Sequence, residues 1–209
     1  SFDSLLSIAN DAAPQSIQDL QEWVLEELRI VQAKIRANDV DSWRGFYADD
    51  QTPYDEERCR DHLLELLRQG AQEVWYTPEL HVAADKEVDI TCSTGALRLP
   101  IEIKGQWHKE VWTAADAQLD RLYTTDWQAN DHGIYLVLWF GEQSGSKSLK
   151  TLGKDQPTPT TADEMQQMLT ARSLAAQSGR VAIVVIDISQ QANAKPAKTV
   201  AKPKHQKAP

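Results

Sequence analysis

The 209-residue chain is predicted to be an α/β protein in which helices flank a mixed β-sheet. Three observations lead to this fold class. Two alternating segments around a tight turn predict a β-hairpin over 87–105, two later segments, 133–140 and 180–189, are apolar strands, and helical patterns lie before and between them. Hairpin strands are antiparallel, whereas apolar strands joined through helices are typically parallel. One sheet of mixed strand direction accommodates both arrangements.

Composition limits the class of protein further. Hydrophobic residues make up 41% of the chain and it contains seven Trp, which favours a folded globule. The longest apolar run, 134–140, has the length of a buried strand and is too short to cross a bilayer. The two cysteines, Cys59 and Cys92, are isolated and lack the spacing of metal ligands. We therefore expect a cytoplasmic protein without a membrane partner.

Charge is distributed unevenly along the chain. The formal net charge is -9, from 22 Lys plus Arg and 31 Asp plus Glu, but the last segment, 190–209, holds five Lys and no acidic residue. Residues 1–189 therefore carry -14. An acidic body repels a nucleic-acid backbone, so nucleic-acid binding would require local basic patches, the tail or a partner. We predict an N-terminal helical extension, a main domain and a disordered basic tail, at 1–40, 41–189 and 190–209.

The first predicted helix begins at Ser16, has Asp19 in its first turn and runs to about Ala37. Its apolar residues form one stripe: Ile17, Leu20, Val24, Leu28, Val31 and Ile35. Such a stripe packs either on its own domain or, as an arm, on a neighbouring domain or a second copy. The chain does not begin with Met, so we also expect it to be a piece of a larger protein.

A second helix is predicted from Tyr54 to about Gln69, with its buried side formed by Cys59, Leu63, Leu66 and Leu67. Glu56 shares this inward face, whereas Glu57 is expected nearer to Arg60 and Asp61, toward solvent. A carboxylate on an inward face has either a functional role or the ordinary preference of acidic residues for a helix start.

The hairpin follows a first strand, predicted over 73–76 and ended by Pro78. Val88, Ile90 and Cys92 alternate with polar residues on its first arm, and the turn at 93–96 contains Gly95. Directly opposed residues of a hairpin share a face, so burial of the apolar faces brings three charged residues together on the other side: Asp89, Glu102 and Lys104.

The remaining elements alternate between helix and strand. A helix is predicted from about Glu110 to Thr124, then the strand 133–140, a polar loop over 141–160, a helix from the capping box Thr161–Glu164 to about Ser178, and the last strand. The loop carries Lys147, Lys150 and Lys154.

These residues resemble the motif of the PD-(D/E)XK nuclease superfamily: Asp89, a short hairpin, and Glu102-Ile103-Lys104, with Glu56 upstream. The resemblance covers about 54–189 and implies a restriction-endonuclease-like fold. Val88 stands where the family usually has Pro. The resemblance further implies that Asp89, Glu102 and the main-chain carbonyl of Ile103 bind Mg²⁺, with Mn²⁺ as a substitute. It assigns catalytic roles to Glu56 and Lys104.

The same resemblance indicates how the chain would act. Mg²⁺ prefers oxygen ligands and keeps several waters, while Lys104 would orient or deprotonate the attacking water. Gln118 and Tyr123 resemble a helix pair of some family members, with an interval one residue longer. The expected partner is nucleic acid, DNA in preference to RNA, and the expected assembly is a homodimer or a larger bacterial protein of the anti-phage defence type.

Other functions are weighed against this hypothesis. A degenerate relative would bind nucleic acid or protein without cutting. The segment 141–148 faintly resembles a phosphate-binding loop, but Ser146 stands where that loop needs Gly before Lys147. The lysines at 147, 150 and 154 are better placed for phosphate contacts. A pure interaction module would use the first helix and the tail.

Overall fold

Five strands form one mixed sheet in this computed structural model, which describes residues 13–37, 41–70, 73–82, 86–117, 119, 130–142 and 145–190. The strands are β1 (Trp75–Val82), β2 (Lys86–Thr94), β3 (Leu97–Gly105), β4 (Gly133–Trp139) and β5 (Val181–Asp187), and they lie in chain order across the sheet. The pairs β1–β2 and β2–β3 are antiparallel, whereas β3–β4 and β4–β5 are parallel. The predicted α/β class with a mixed sheet is confirmed.

Two helices cover one face of the sheet. They are α1 (Ile17–Arg36) and α2 (Glu56–Arg68), separated by a 3₁₀ turn at Ser42–Phe46. The Ser16 hydroxyl accepts from the N–H of Asp19, whose carboxylate accepts from the N–H of Ser16, so a reciprocal cap opens α1. The whole predicted stripe of α1 is buried in the same core as strands β1 to β5. The stripe therefore packs on the sheet of its own chain.

The opposite face is covered by α3 (Ala162–Arg172), by the short α4 (Leu174–Gln177) and by residues that follow β3. The sequence predicts one helix here, but Ser173 interrupts it with extended backbone angles. Its hydroxyl caps α4 and donates to Asp116, whose carboxylate also accepts from the N–H of Ala175. These side-chain bonds replace the helical hydrogen bonds that would have continued α3.

The hairpin turn forms as predicted, with Gly95 at a φ of 54°. The prediction that Pro78 ends the first strand is wrong, because β1 continues through it to Val82. Among the described strands β1 lies at the edge of the sheet, and none of them pairs with its outward side, where the missing N–H of Pro78 is tolerated. The helix predicted from Glu110 begins with the bond from the N–H of Ala114 to the carbonyl of Glu110, but 118 and 120–129 lie outside the described residues.

No helix among the described residues is both long and apolar enough to cross a membrane. Cys59 and Cys92 are free thiols buried in the core, on the faces that the sequence predicts.

Candidate active site

The site lies where β2 separates from β3. Hydrogen-bonded pairing of the two strands runs from Thr94 and Leu97 to Ile90 and Ile101. Beyond this point β2 stays paired with β1, and β3 stays paired with β4. We call this point the fork. Val88 lies just beyond the fork, where β2 is no longer paired with β3, and it packs in the core on the opposite face from Ile90, contrary to the predicted alternation.

The Asp89 side chain spans the fork. One of its carboxylate oxygens, Oδ2, accepts from the main-chain N–H of Ile103 at 2.7 Å. The side chain thus takes the place of a backbone hydrogen bond between the two strands. The fork therefore fixes the direction of the Asp89 carboxylate toward β3.

Glu102 and Lys104 lie two residues apart on β3 and so point to the same face of the sheet. The Lys104 ammonium donates to Glu102 Oε1 at 2.5 Å and lies 4.0 Å from Asp89 Oδ2. The sequence predicts that these three side chains converge, and the structure brings them together. The Glu102 side chain is 4% exposed and that of Lys104 10%, whereas the Asp89 side chain is 29% exposed, so solvent reaches the group from the Asp89 side.

Two carboxylates compete for one ammonium. Burial and then the neighbouring Asp89 raise the pKa of Glu102 to about 7, although Lys104 opposes the rise. Burial also raises the pKa of Asp89, and this outweighs the lowering effect of Lys104. Burial alone would lower the pKa of Lys104, but the Glu102 and Asp89 charges outweigh it and the net shift is upward. With both carboxylates ionised, the group carries one uncompensated negative charge.

Glu56, the first residue of α2, connects that helix to the site. Its Oε1 accepts from the main-chain N–H of Gly105 at 2.9 Å, while Asp55 caps the helix through the N–H of Arg58. The carboxylate thus faces inward, as predicted, and it raises the pKa of both Glu102 and Lys104 as a minor contribution. Its contact with the end of β3 goes beyond the ordinary preference for a helix start.

Sequence reasoning missed Arg60. The sequence pattern predicts that Arg60 points toward solvent, but the residue is only 7% exposed. Its guanidinium donates through Nε and Nη2 to Asp61, and its charge lowers the pKa of Asp89. The spacing gave a usable signal, because residues four apart on a helix share a face and Arg60 follows Glu56 by four.

Gln106, directly after the Glu-x-Lys strand, was also missed. It is completely buried, and its amide makes hydrogen bonds with main-chain groups of the loop after β4. An uncharged residue beside a charged motif gives no periodic or electrostatic signal.

The three predicted loop lysines differ in their surroundings. Lys147 lies at the end of a 3₁₀ turn, Gly145–Lys147, with its ammonium 4.4 Å from the ring centroid of Trp107. Lys150 and Lys154 have exposed side chains. Within the described chain no α-helix follows this loop before Ala162, which argues against a phosphate-binding loop at 141–148. Gln118 and Tyr123 lie outside the described residues.

The described side chains do not form a metal-binding cluster by themselves. Among the described residues, no set of three or more His, Cys, Asp or Glu side chains is arranged to hold an ion. Asp89 and Glu102 are two carboxylates on neighbouring strands, and further oxygen ligands would have to come from the main chain or water.

Comparison with protein families identifies a match over residues 20–142 to a domain of unknown function, DUF8371. The chain belongs to the DUF8371 family. The DUF8371 match runs from α1 to just beyond β4 and includes all four residues of the acidic group and its lysine: Glu56, Asp89, Glu102 and Lys104. The lysines of the following loop lie outside it. No match to the chain was found among curated proteins or solved structures.

Proposed function

We propose that this DUF8371 protein is an Mg²⁺-dependent nuclease of the PD-(D/E)XK superfamily that hydrolyses phosphodiester bonds in DNA. The observation that carries the proposal is the convergence of Asp89, Glu102 and Lys104 at the fork. The strand directions and helix-covered faces of the mixed sheet are compatible with a restriction-endonuclease-like fold.

The residues of the site fit a hard divalent cation. Asp89 and Glu102 offer oxygen ligands only. Burial raises the pKa of both carboxyl groups, and the Asp89 charge adds to the rise at Glu102; a bound cation would oppose these shifts by stabilising the ionised carboxylates. Asp89, Glu102 and the Ile103 carbonyl would hold Mg²⁺, with Mn²⁺ as a substitute. The bound ion would supply charge relief on the phosphate and a more acidic bound water.

Lys104 would position the attacking water and offset phosphate charge. Because its pKa is raised, it is an ammonium at neutral pH and a hydrogen-bond donor, which supports positioning over proton abstraction. Glu56 would keep the end of β3 in place through Gly105 and could hold a second cation or its water.

The distribution of charge supports a nuclease that depends on assembly. The acidic body opposes DNA binding, so activity in isolation should be weak and should rise in a homodimer or when the domain is tethered in a larger protein. A bacterial protein of the anti-phage defence type would provide such tethering, and its setting would be cytoplasmic.

A second candidate is a module that binds nucleic acid or protein without cutting. One observation favours it: Glu102 Oε1 and Asp89 Oδ2 already have hydrogen-bond partners within the chain, Lys104 and Ile103. In this case the charged group would be a buried ion-pair network that stabilises the fork.

Cleavage assays separate the two candidates. Plasmid and single-stranded DNA would be incubated with Mg²⁺ or Mn²⁺ and with the wild-type chain, Glu102→Ala or Lys104→Ala. We expect each substitution to reduce cleavage by at least about a hundredfold, since each removes a group that acts on the reacting phosphate or water. Arg172→Ala, which removes an exposed positive charge at the end of α3, is the matched control.

Two results would contradict the nuclease proposal. Cleavage that survives both substitutions would originate at another site or from a contaminant. Binding of DNA by a folded wild-type chain without any cleavage would favour the non-cutting module. Circular dichroism of each variant establishes that the comparison is made between folded proteins.

A further inference from the structure

The buried side chain of Gln106 joins the end of β3 to the loop after β4. Its amide nitrogen donates to the carbonyl oxygens of Gly141 at 2.6 Å and Lys147 at 3.1 Å, and its amide oxygen accepts from the N–H of Phe140 at 2.7 Å. Its main-chain carbonyl accepts from the N–H of Lys150 at 2.9 Å. One residue beside the Glu-x-Lys motif therefore fixes both ends of this loop.

Trp107 connects the loop to the acidic group. A Cβ added to Gly105 would lie 2.5 Å from the Trp107 ring, so the ring is in close contact with the end of β3. The same ring has the Lys147 ammonium 4.4 Å from its centroid. Because the N–H of Gly105 donates to Glu56, Lys147 is linked to the acidic group through Trp107 and Gly105.

Electrostatics agree with this proximity. Burial raises the pKa of the Cys59 thiol to about 12; Asp55 and Glu56 add to the rise, whereas Lys147 opposes it. Glu56 and Lys147 therefore act on the same buried side chain.

The Lys147 ammonium is held against an aromatic ring. Within the part of the chain that the structure describes, no carboxylate forms an ion pair with it, and its ammonium is kept in place by the Trp107 ring. A cation held in one position loses little conformational entropy when it binds an anion. Lys150 shares the loop but its side chain is exposed, and Lys154 lies further along in the exposed segment.

We propose that Lys147 contacts a DNA phosphate beside the acidic group and that Gln106 is its positioning residue. The loop fixed by Gln106 then forms one wall of the DNA-binding surface. This inference rests on the proposed nuclease function for its substrate class, and phosphate is the group that a lysine ammonium recognises.

Binding experiments test the role of Lys147 without cleavage. A fluorescein-labelled DNA duplex would be titrated with the full chain in EDTA, at several salt concentrations. We expect Lys147→Met to weaken binding roughly tenfold, the loss of one charge-assisted contact, and to lower the salt slope by about one. Lys147→Arg should restore most of the affinity, and Arg172→Met, which removes an exposed positive charge at the end of α3, should change it far less.

A double-mutant cycle tests Gln106. We expect Gln106→Met to weaken binding about as much as Lys147→Met, and the double variant to bind no more weakly than either single variant. Additive losses would show that Gln106 does not act through Lys147. If Gln106→Met does not fold, as judged by circular dichroism, the Lys147 variants still decide the assignment of the phosphate contact.

The outcomes distinguish this inference from the proposed function. Salt-dependent binding that is lost in Lys147→Met, without cleavage by the wild type, would overturn the nuclease and leave the phosphate contact standing. Cleavage by the wild type with equal binding by Lys147→Met and Arg172→Met would overturn the phosphate contact alone. A loss with RNA but not with DNA, or no binding by the wild type, would also overturn it.

Discussion

Glu102 is the residue whose ionisation couples the site to the stability of the fold. Its pKa is raised from the ordinary 4.5 to about 7 because the side chain is buried beside Asp89. Between these two values the folded chain holds a proton that the unfolded chain has released. Its contribution to stability is therefore complete below about pH 4.5 and is lost as the pH rises through about 7.

We predict that Glu102→Gln reduces this pH dependence. The wild type should lose stability between about pH 5 and pH 8, whereas the variant, which cannot ionise there, should lose less. Lys104 does not titrate in this window, because its pKa lies above its ordinary value of 10.5. Thermal unfolding of both proteins without metal, at each pH, gives the measurement. Equal slopes would show that the Glu102 proton is not linked to folding.

Because the ionisation of Glu102 is linked to folding, the stabilisation of the fold by a bound metal ion should depend on pH. A cation binds the ionised carboxylates, so Mg²⁺ should raise the unfolding temperature of the wild type more at about pH 8 than at about pH 6. Glu102→Gln removes one of the proposed ligands and should show a smaller rise at either pH.

At this scale strand alternation and hairpin register predict that Asp89, Glu102 and Lys104 share a face, and the three side chains do converge. The pairing of β2 with β3 stops before Asp89, however, and the hydrogen bond from the N–H of Ile103 sets the direction of its carboxylate. The sequence does not predict the buried residues that lie around this group, Arg60 and Gln106. A charged residue such as Arg60 is expected at the surface because charged residues are usually exposed, and the uncharged Gln106 gives no signal that predicts its complete burial.

Among the elements, β5 is an edge strand whose outer backbone groups are covered by glutamine side chains. Gln32 of α1 accepts from the N–H of Asp187 at 2.7 Å and donates to its carbonyl at 3.1 Å. Gln166 of α3 accepts from the N–H of Val185 at 2.9 Å. Helices from both faces of the sheet thus protect an edge that could otherwise pair with another chain.

We predict that replacing both glutamines with Leu weakens the fold and promotes self-association. Each lost amide leaves a strand N–H without its partner, which costs roughly 1–3 kcal/mol in the free energy of unfolding. Urea unfolding gives the stability, and sedimentation velocity gives the association state. Gln167→Leu, an exposed neighbour on α3, is the control for added surface hydrophobicity. A double variant that stays monomeric and as stable as this control would show that the glutamines do not protect the edge.

Element order and type follow from the sequence wherever periodicity is strong, as in α1 and β4. The predicted boundaries of the elements are wrong where tertiary contacts override the local sequence pattern. The strand β1 continues through Pro78 because it is an edge strand, where the missing N–H of proline is tolerated. Ser173 breaks a predicted helix because Asp116, distant in sequence, accepts hydrogen bonds from the Ser173 hydroxyl and from the N–H of Ala175.

Over the whole molecule, the strongest asymmetry is in charge. Residues 1–189 carry -14, whereas 190–209 contain five Lys and no acidic residue. The parallel strands β3, β4 and β5 have their carboxyl ends on the same side of the sheet, and the chain continues from β5 into this segment. The basic segment therefore begins at the carboxyl ends of these strands, where Lys104 and the loop after β4 also lie.

We predict that removal of 190–209 weakens DNA binding and flattens its salt dependence. Up to five phosphate contacts would be lost, and each contributes close to one unit to the salt slope. Fluorescence anisotropy with the same duplex, for the full and shortened chains, gives both quantities. Tight and salt-insensitive binding by residues 1–189 alone would contradict this prediction and the proposed need for a partner.

The Asp89 carboxylate has two roles. It accepts a hydrogen bond from β3 at the point where β2 and β3 separate, and it also belongs to the acidic group. If a relative lost the proposed cleavage activity, selection on the fold would therefore still retain this residue. Lys104 is less constrained, since Glu102 can take up a proton near neutrality when the lysine is replaced by an apolar residue. A relative that lacks the proposed cleavage activity would retain the aspartate at the fork and have another residue in place of the lysine.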